Sequence, residues 1–287
     1  MRQGDQRCFM PAPIVTDIGE GLELHYNDRM FHAPDLLHAL GDLRLAHPIY
    51  LVHQIGSTNE QARQMAAAGA PEGLLLVAEE QTAGRGRAGR RWLTPPGAAL
   101  ALSLVLRPAL PAALGARLTM LAGVAACEAI EQVAGVRAGL KWPNDVLIGG
   151  RKAGGILVES ALRGEDLEFA VLGLGLNVSW APPPEQVDYP ATCVDAEAGR
   201  AVDRLKLLRA LLAGVEARYG ALTGPALFAD WRARLETLGR PVAVQMEAET
   251  WTGRAEAVDA DGALLVRTEG GALRRVLAGE VRVRPEP

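Results

Sequence analysis

From Ile49 onward, short apolar runs alternate with longer amphipathic ones along the chain. Residues 49–52 are an apolar run of strand length, followed by Ser57-Thr58-Asn59-Glu60 and a helix-period segment that ends at Gly69. Ser57 and Glu60 have the capping-box spacing, in which hydroxyl and carboxylate each satisfy a backbone N–H of the first turn. Residues 74–78 and 98–106 are continuous apolar runs, the pattern of strands covered on both faces. Residues 114–133 are mostly apolar over a length that suits a helix. Residues 146–148 and 155–159 flank Gly149-Gly150 and predict a hairpin. A second turn at Arg163-Gly164-Glu165-Asp166 leads into an apolar run over 169–178. Residues 203–238 read as helical, interrupted at Gly224-Pro225. Beyond Gly239 come short alternating strands at 242–246, 252–258, 263–267, 272–277 and 281–283, with turns at Asp261-Gly262 and Gly270-Gly271, which is the signature of a small β-barrel.

The first 47 residues are different. Strands are expected at 14–15 and 22–26 and a short helix over 35–40 ending at Gly41, with no pair of consecutive helices long enough for a helix-turn-helix. Their acidic residues (Asp5, Asp17, Glu20, Glu23, Asp28, Asp35, Asp42) outnumber the basic ones (Arg2, Arg7, Arg29, Arg44). The whole chain, 287 residues with a formal charge of -4, has no dense basic face of the kind that counterion release requires, so nucleic acid is not expected as a partner. Its length and 49% hydrophobic content allow one sizeable α/β core and a smaller module. Cys8, Cys127 and Cys193 show no CxxC spacing, which argues against a disulfide framework or zinc knuckle and fits a reducing, cytoplasmic setting. No continuous apolar core of a signal peptide opens the chain, and residues 97–106 are too short for the roughly 20 residues of a membrane span, so no membrane association is expected. All histidines lie at or before His53. Chemistry carried by later motifs therefore has to proceed without a histidine base or metal ligand.

Four later stretches carry candidate chemistry. Gln81-Thr82-Ala83-Gly84-Arg85-Gly86-Arg87-Ala88-Gly89-Arg90-Arg91-Trp92 sets four arginines among three glycines. Glycines permit close backbone approach and guanidinium groups bind phosphate or carboxylate bidentately, so the loop suits anions; a flexible, solvated basic loop is the plainer alternative. Gly84, Gly86 and Gly89 satisfy G-x-G-x-x-G, but no helix can open where Thr94-Pro95-Pro96 follows, so a dinucleotide fold is rejected, and no Walker P-loop is present. In Lys141-Trp142-Pro143-Asn144-Asp145 an acid beside cations could hold Mg²⁺, or Asn144-Asp145 could simply satisfy local backbone groups. Lys152, just after the glycine turn in Arg151-Lys152-Ala153-Gly154-Gly155, is placed as a point charge, with a solvated hairpin-tip lysine as the alternative. Gly173-Leu174-Gly175-Leu176-Asn177 has strand glycines that mark a close approach, and Asn177 can both donate and accept as an adenine edge requires.

Together with Ser57-Thr58-Asn59 and the Gly279-Glu280-Val281 pattern near the end, these motifs stand in the order seen in biotin protein ligases, and the chain resembles that family from about His47 to its C-terminus. The resemblance implies an α/β (α+β) fold: a mixed sheet flanked by helices, like class II synthetases and lipoate ligases, followed by an SH3-like barrel. The chain would divide into an N-terminal extension at 1–47 unlike a winged helix, a catalytic unit at 48–238 and the barrel at 239–287. Implied ligands are biotin, ATP and Mg²⁺, and the implied partner is a biotin carboxyl carrier protein or domain. By the same resemblance, Ser57, Thr58, Asn59, Gln81, Arg85, Gly86, Arg87 and Lys152 surround biotin, and Lys152 and Arg87 are the catalytic pair. Arg90, Trp92, Lys141, Asn144 and Asn177 lie on the nucleotide side, with Asp145 at the metal. Ala88 departs from a loop position often basic in relatives. The acidic first 47 residues predict a ligase without operator binding, and an exposed sheet edge would allow a homodimer.

Overall fold

The computed structural model describes Val15–Thr16 and residues 30–283 apart from 247–248 and 278. The strand expected at 22–26, and most of the N-terminal extension, lie outside the described residues. In chain order the elements are β1 (Val15–Thr16), α1 (Ala33–Leu40), β2 (Ile49–Ile55), α2 (Thr58–Ala67), β3 (Leu75–Gln81), β4 (Ala99–Leu106), α3 (Ala116–Ala134) and β5 (Ala138–Lys141). They continue as β6 (Asp145–Ile148), β7 (Arg151–Arg163), β8 (Asp166–Asn177), α4 (Val194–Ala198), α5 (Arg204–Tyr219) and α6 (Pro225–Ala233). The C-terminal strands are β9 (Pro241–Met246), β10 (Glu249–Val258), β11 (Leu264–Thr268), β12 (Leu273–Val276) and β13 (Glu280–Val283).

The central sheet runs β1-β2-β3-β4-β8-β7-β6-β5. Its first three strands are parallel and every other pairing is antiparallel, so the sheet is mixed, as expected. β4 is buried along its whole length because α2 packs on one face and the α3 layer on the other, which is why its sequence is apolar without alternation. The hairpin turn between β6 and β7 falls at Gly149 and Gly150, both at positive φ (57° and 72°), a conformation that costs L side chains but not glycine.

α3 is the central helix of the core. By length and composition the segment 112–134 could cross a membrane, and it is a longer apolar stretch than the one weighed from sequence. Its apolar surface is instead spent inside the molecule, where Leu121, Val124, Ala125 and Ile130 are fully buried among α5, α6 and the sheet. A stop at Gly135, with φ 75°, ends the helix and lets its N–H reach the Glu131 carbonyl.

β5 was not foreseen from the sequence. Its outer edge is met by the chain after α6, where Leu140 N–H donates to the Arg234 carbonyl and Glu236 N–H donates to the Leu140 carbonyl, both at 2.8 Å. The edge on this side is therefore covered rather than open to a second copy.

The C-terminal strands form a five-stranded antiparallel sheet in the order β12-β11-β10-β9-β13. Among the described residues its hydrogen bonds leave β12 and β13 at the two ends, so they do not close the sheet into a ring. Trp142 joins it to the larger unit: the indole N–H donates to the Gly262 carbonyl at 2.9 Å and the ring is buried. Val242, Val244, Ala255, Val266 and Val281 share one continuous hydrophobic core with the helices.

Candidate functional site

The loops at one end of the central sheet surround a cavity of about 530 Å³. All the residues singled out from sequence line it: Ser57, Thr58, Asn59, Gln81, Arg85, Gly86, Arg87, Arg90, Trp92, Lys141, Asn144, Asp145, Lys152 and Asn177. Strands distant in sequence bring them together, with α2 and β3 on one side, β6 to β8 on the other, and the arginine loop between β3 and β4.

One end of the cavity is neutral. Ser57 caps α2, accepting from Glu60 N–H at 3.5 Å as its spacing predicts. Gln81 Oε1 accepts from both Thr58 N–H (2.8 Å) and Thr58 Oγ1–H (3.1 Å), while its Nε2 donates to Thr94 Oγ1 at 3.4 Å. Ser103 Oγ lies 2.7 Å from Asn59 Oδ1 and 2.9 Å from Thr58 Oγ1. Gly173 faces Asn59, and a Cβ there would overlap the carboxamide. Apolar walls come from Leu102, Leu157 and Leu174. The result is a small chamber of fixed, uncharged donors and acceptors among leucines.

The other end is cationic. Asp145 is buried, with Lys152 Nζ at 2.6 Å from one carboxylate oxygen and Lys141 Nζ at 2.8 Å from the other. Burial alone would raise this carboxyl; the charges of Lys152 and then Lys141 overcome it and hold it below its ordinary value. Asn144 Nδ2 donates to the Ile156 carbonyl at 2.7 Å and fixes the turn that presents Asp145. Lys152 is held from behind as well, since its backbone N–H donates to the Pro190 carbonyl at 2.8 Å and its carbonyl accepts from Thr192 N–H at 2.9 Å.

Magnesium beside Asp145 does not fit these surroundings. Both carboxylate oxygens already face ammonium groups, and among the described residues no cluster of three or more His, Cys, Asp or Glu side chains suits a metal. A hard cation seeks several oxygen ligands, so the arrangement is that of an anchor for two lysines rather than a protein metal site.

The arginine loop is folded back on itself. Gly86 N–H donates to the Arg90 carbonyl at 2.7 Å and Trp92 N–H to the Gly84 carbonyl at 2.9 Å. Ala88 takes φ 54°, the only positive φ at a non-glycine position among the described residues. Arg87 is partly buried, and desolvation followed by the neighbouring Arg90 lowers its pKa; it nonetheless remains cationic. Arg85 is held by Glu60 at 2.9 Å and Glu159 at 2.8 Å. Trp92 lies against Gly175, where a Cβ would collide with the indole, and 5.9 Å separates the ring centroid from Lys152 Nζ.

Sequence reasoning passed over part of the wall. Pro182, Glu185, Gln186, Val187, Asp188 and Tyr189 line the cavity. Tyr189 lies under Lys141, 5.1 Å from ring centroid to Nζ, and its hydroxyl donates to the Gly150 carbonyl at 3.0 Å. Burial, then the charges of Glu236 and Asp145, raise the phenol's pKa. Val281 and Arg282 bring the C-terminal sheet to the rim, and Arg282 Nη2 lies 3.7 Å from Asp188.

Residues 51–177 match the model of the biotin/lipoate A/B protein ligase family, and residues 237–284 match that of the biotin protein ligase C-terminal domain. A biotin--[acetyl-CoA-carboxylase] ligase of Mycobacterium tuberculosis is 40% identical over 239 residues, covering 80% of this chain and 87% of the relative. The bifunctional ligase/repressor BirA of Bacillus subtilis is 34% identical over 244 residues, covering 83% and 74% respectively. Among solved structures, a biotin protein ligase from Aquifex aeolicus in complex with biotin and ATP superposes with a TM-score of 0.69 at 27% identity, over 84% of this chain and all (100%) of that one.

Proposed function

The chain belongs to the biotin protein ligase family, and on that premise we propose that it activates biotin as biotinyl-5′-AMP and passes it to one lysine of a biotin carboxyl carrier domain of acetyl-CoA carboxylase or a related carboxylase. The observation that carries the reading is the joining, in one cavity, of a neutral leucine-walled chamber to a cluster formed by Lys141, Lys152, Arg87 and Arg90. Biotin has the same two halves, an uncharged ureido head on an apolar frame and a carboxylate at the end of its chain.

Ser57, Thr58, Asn59 and Gln81 receive the head, with Arg85, Gly86, Arg87 and Lys152 toward the carboxylate. Arg90, Trp92, Lys141, Asn144 and Asn177 form the nucleotide side. A carboxylate oxygen attacks the α-phosphorus, the bond to the bridging oxygen breaks, and pyrophosphate leaves. In the second step a neutral lysine amine of the carrier attacks the acyl carbon, AMP departs, and the amine gives up a proton. Neither step calls for a protein nucleophile. Alignment of the two reactants and neutralisation of charge growing on phosphate oxygens supply the rate, and Lys152 serves the second purpose. Asp145 fixes where that ammonium stands. Magnesium is written here as part of the substrate MgATP.

The catalytic unit is assigned to 48–238 and the C-terminal unit to 239–287. The acidic excess of residues 1–47 supports a ligase that does not bind an operator, and DNA binding that weakens with salt would oppose this. An ATP-consuming reaction and the free thiols Cys127 and Cys193 suit the cytoplasm. The test is mass spectrometry of a carrier domain incubated with the protein, biotin and MgATP: a single lysine gaining one biotinyl group supports the reading, and an unmodified carrier opposes it.

A further inference from the structure

Glu159 does not line the cavity, yet it touches two groups that do. It sits on β7 with its side chain mostly covered (21% exposed). One oxygen accepts from Asn59 Nδ2 at 3.0 Å and the other pairs with Arg85 Nη2 at 2.8 Å. Asn59 belongs to the first turn of α2 and to the neutral chamber, and Arg85 belongs to the arginine loop. No other side chain among the described residues has a hydrogen bond to both.

The two contacts have different consequences. Asn59 is clamped from three directions: Nδ2 donates to the Leu157 carbonyl (3.1 Å) and to Glu159, and Oδ1 accepts from Ser103. A carboxamide can be turned over at little intrinsic cost, and the Leu157 carbonyl and the Glu159 carboxylate facing Nδ2 make the flipped orientation unfavourable, the anion more strongly because it carries a charge. Arg85, in contrast, is shared between Glu159 and Glu60, and the Glu60 carboxylate, which also holds Arg63 and Gln64, has no hydrogen bond to the neighbouring Asn59 side chain. Removing the Glu60 carboxylate thus affects the loop and the exposed Arg63 and Gln64 on α2 but no hydrogen bond of the Asn59 carboxamide, whereas removing Glu159 affects loop and chamber together.

We propose that Glu159 is a positioning residue that couples the neutral biotin-head chamber to the arginine loop, fixing the Asn59 carboxamide with one oxygen and anchoring the loop through Arg85 with the other. The inference rests on the biotin-ligase reading above. Each carboxylate contact is a charge-assisted hydrogen bond, and losing one changes an equilibrium by about tenfold.

Three variants separate the roles: Glu159→Ala, which loses both contacts, Glu159→Gln, which keeps an acceptor for Asn59 but no charge for Arg85, and Glu60→Gln. The assay is biotin-dependent exchange of labelled pyrophosphate into ATP, resolved into KM for biotin and kcat, alongside the rate of proteolysis within 84–91 in the absence of ligands. For Glu159→Ala we expect a biotin KM raised about tenfold with kcat within about threefold, and faster loop cleavage. For Glu159→Gln and Glu60→Gln we expect faster cleavage with biotin KM within about threefold. A purely structural role would lower kcat in step with the folded fraction in all three, which circular dichroism measures, and would leave KM unmoved. That result, or a near-isosteric Glu159→Gln with wild-type loop cleavage, overturns the inference. Absence of biotin-dependent exchange in the wild-type protein would overturn the functional reading itself.

Discussion

Replacing Asp145 with asparagine tests the electrostatic centre of the site. The carboxylate is buried and lies 2.6 Å from Lys152 Nζ and 2.8 Å from Lys141 Nζ. At an effective dielectric of about 20, each ion pair at this separation is worth roughly 6 kcal/mol of gross attraction. Desolvation of the three groups offsets most of that, but deleting one charge does not return the offset, because two ammonium groups remain close together and largely covered. Breaking a buried pair from one side costs about 3 to 5 kcal/mol, and the 27% exposure of Lys152 puts the expected loss at the lower end, about 3 kcal/mol. Urea unfolding at neutral pH measures it. The acid dependence gives an internal check with a definite sign. A carboxyl held below its ordinary value contributes stability that is complete above the unfolded value of about 3.9 and is lost as pH falls through the folded value. The stability difference between wild type and Asp145→Asn should therefore be constant above about pH 5 and shrink below about pH 4. ATP, which supplies the missing negative charge, should restore part of it. An Asp145→Asn protein as stable as wild type at neutral pH, or a difference that grows on acidification, would refute the reasoning.

Other perturbations address single parts of the site. Lys152→Ala removes the ammonium aimed at the transferring phosphate and should slow single-turnover adenylation by two to three orders of magnitude, corresponding to about 2.7 to 4 kcal/mol; a rate near wild type would remove Lys152 from the chemistry. Gly175→Ala puts a Cβ into the Trp92 indole and should raise KM for ATP about tenfold, with a change in tryptophan fluorescence, through overpacking of about 1 to 3 kcal/mol. Unchanged KM and emission would mean that Trp92 moves aside without consequence. Arg87→Gly should release free biotinyl-adenylate about ten- to a hundredfold faster by losing one charge-assisted contact, and unaltered release in a filter assay would argue against that role.

How far the sequence led depends on whether a feature is local. The cap of α2 and the tight turn were legible because one or two residues determine each: Ser57 caps the helix and Gly149-Gly150 turns the hairpin. The cavity was legible because anion chemistry demands arginine, lysine and glycine at particular points, and those points stand out in a chain with no histidine beyond His53. β5 was missed because its four residues, interrupted by Gly139, carry no period of their own; neighbours on both sides, β6 and the chain at 234–236, make it a strand. The wall at 182–189 escaped for a similar reason, since it is held by backbone bonds between Pro190, Thr192 and Lys152 that no local pattern announces. The role first expected for Asp145 shows the limit of motif reading. An acid next to cations suits a metal on paper, and only the placement of Lys152 opposite Lys141 shows both its oxygens already engaged.

The central claim is that arginine loop and lysine pair serve one acid and one nucleotide in a shared cavity. Exchange of labelled pyrophosphate into ATP, measured with biotin, with lipoate and with no acid, tests it most directly. Exchange that requires biotin, fails with lipoate and falls a hundredfold or more, roughly, in Lys152→Ala is the predicted result. Exchange supported equally by lipoate, or wholly indifferent to the loss of Lys152, would contradict it.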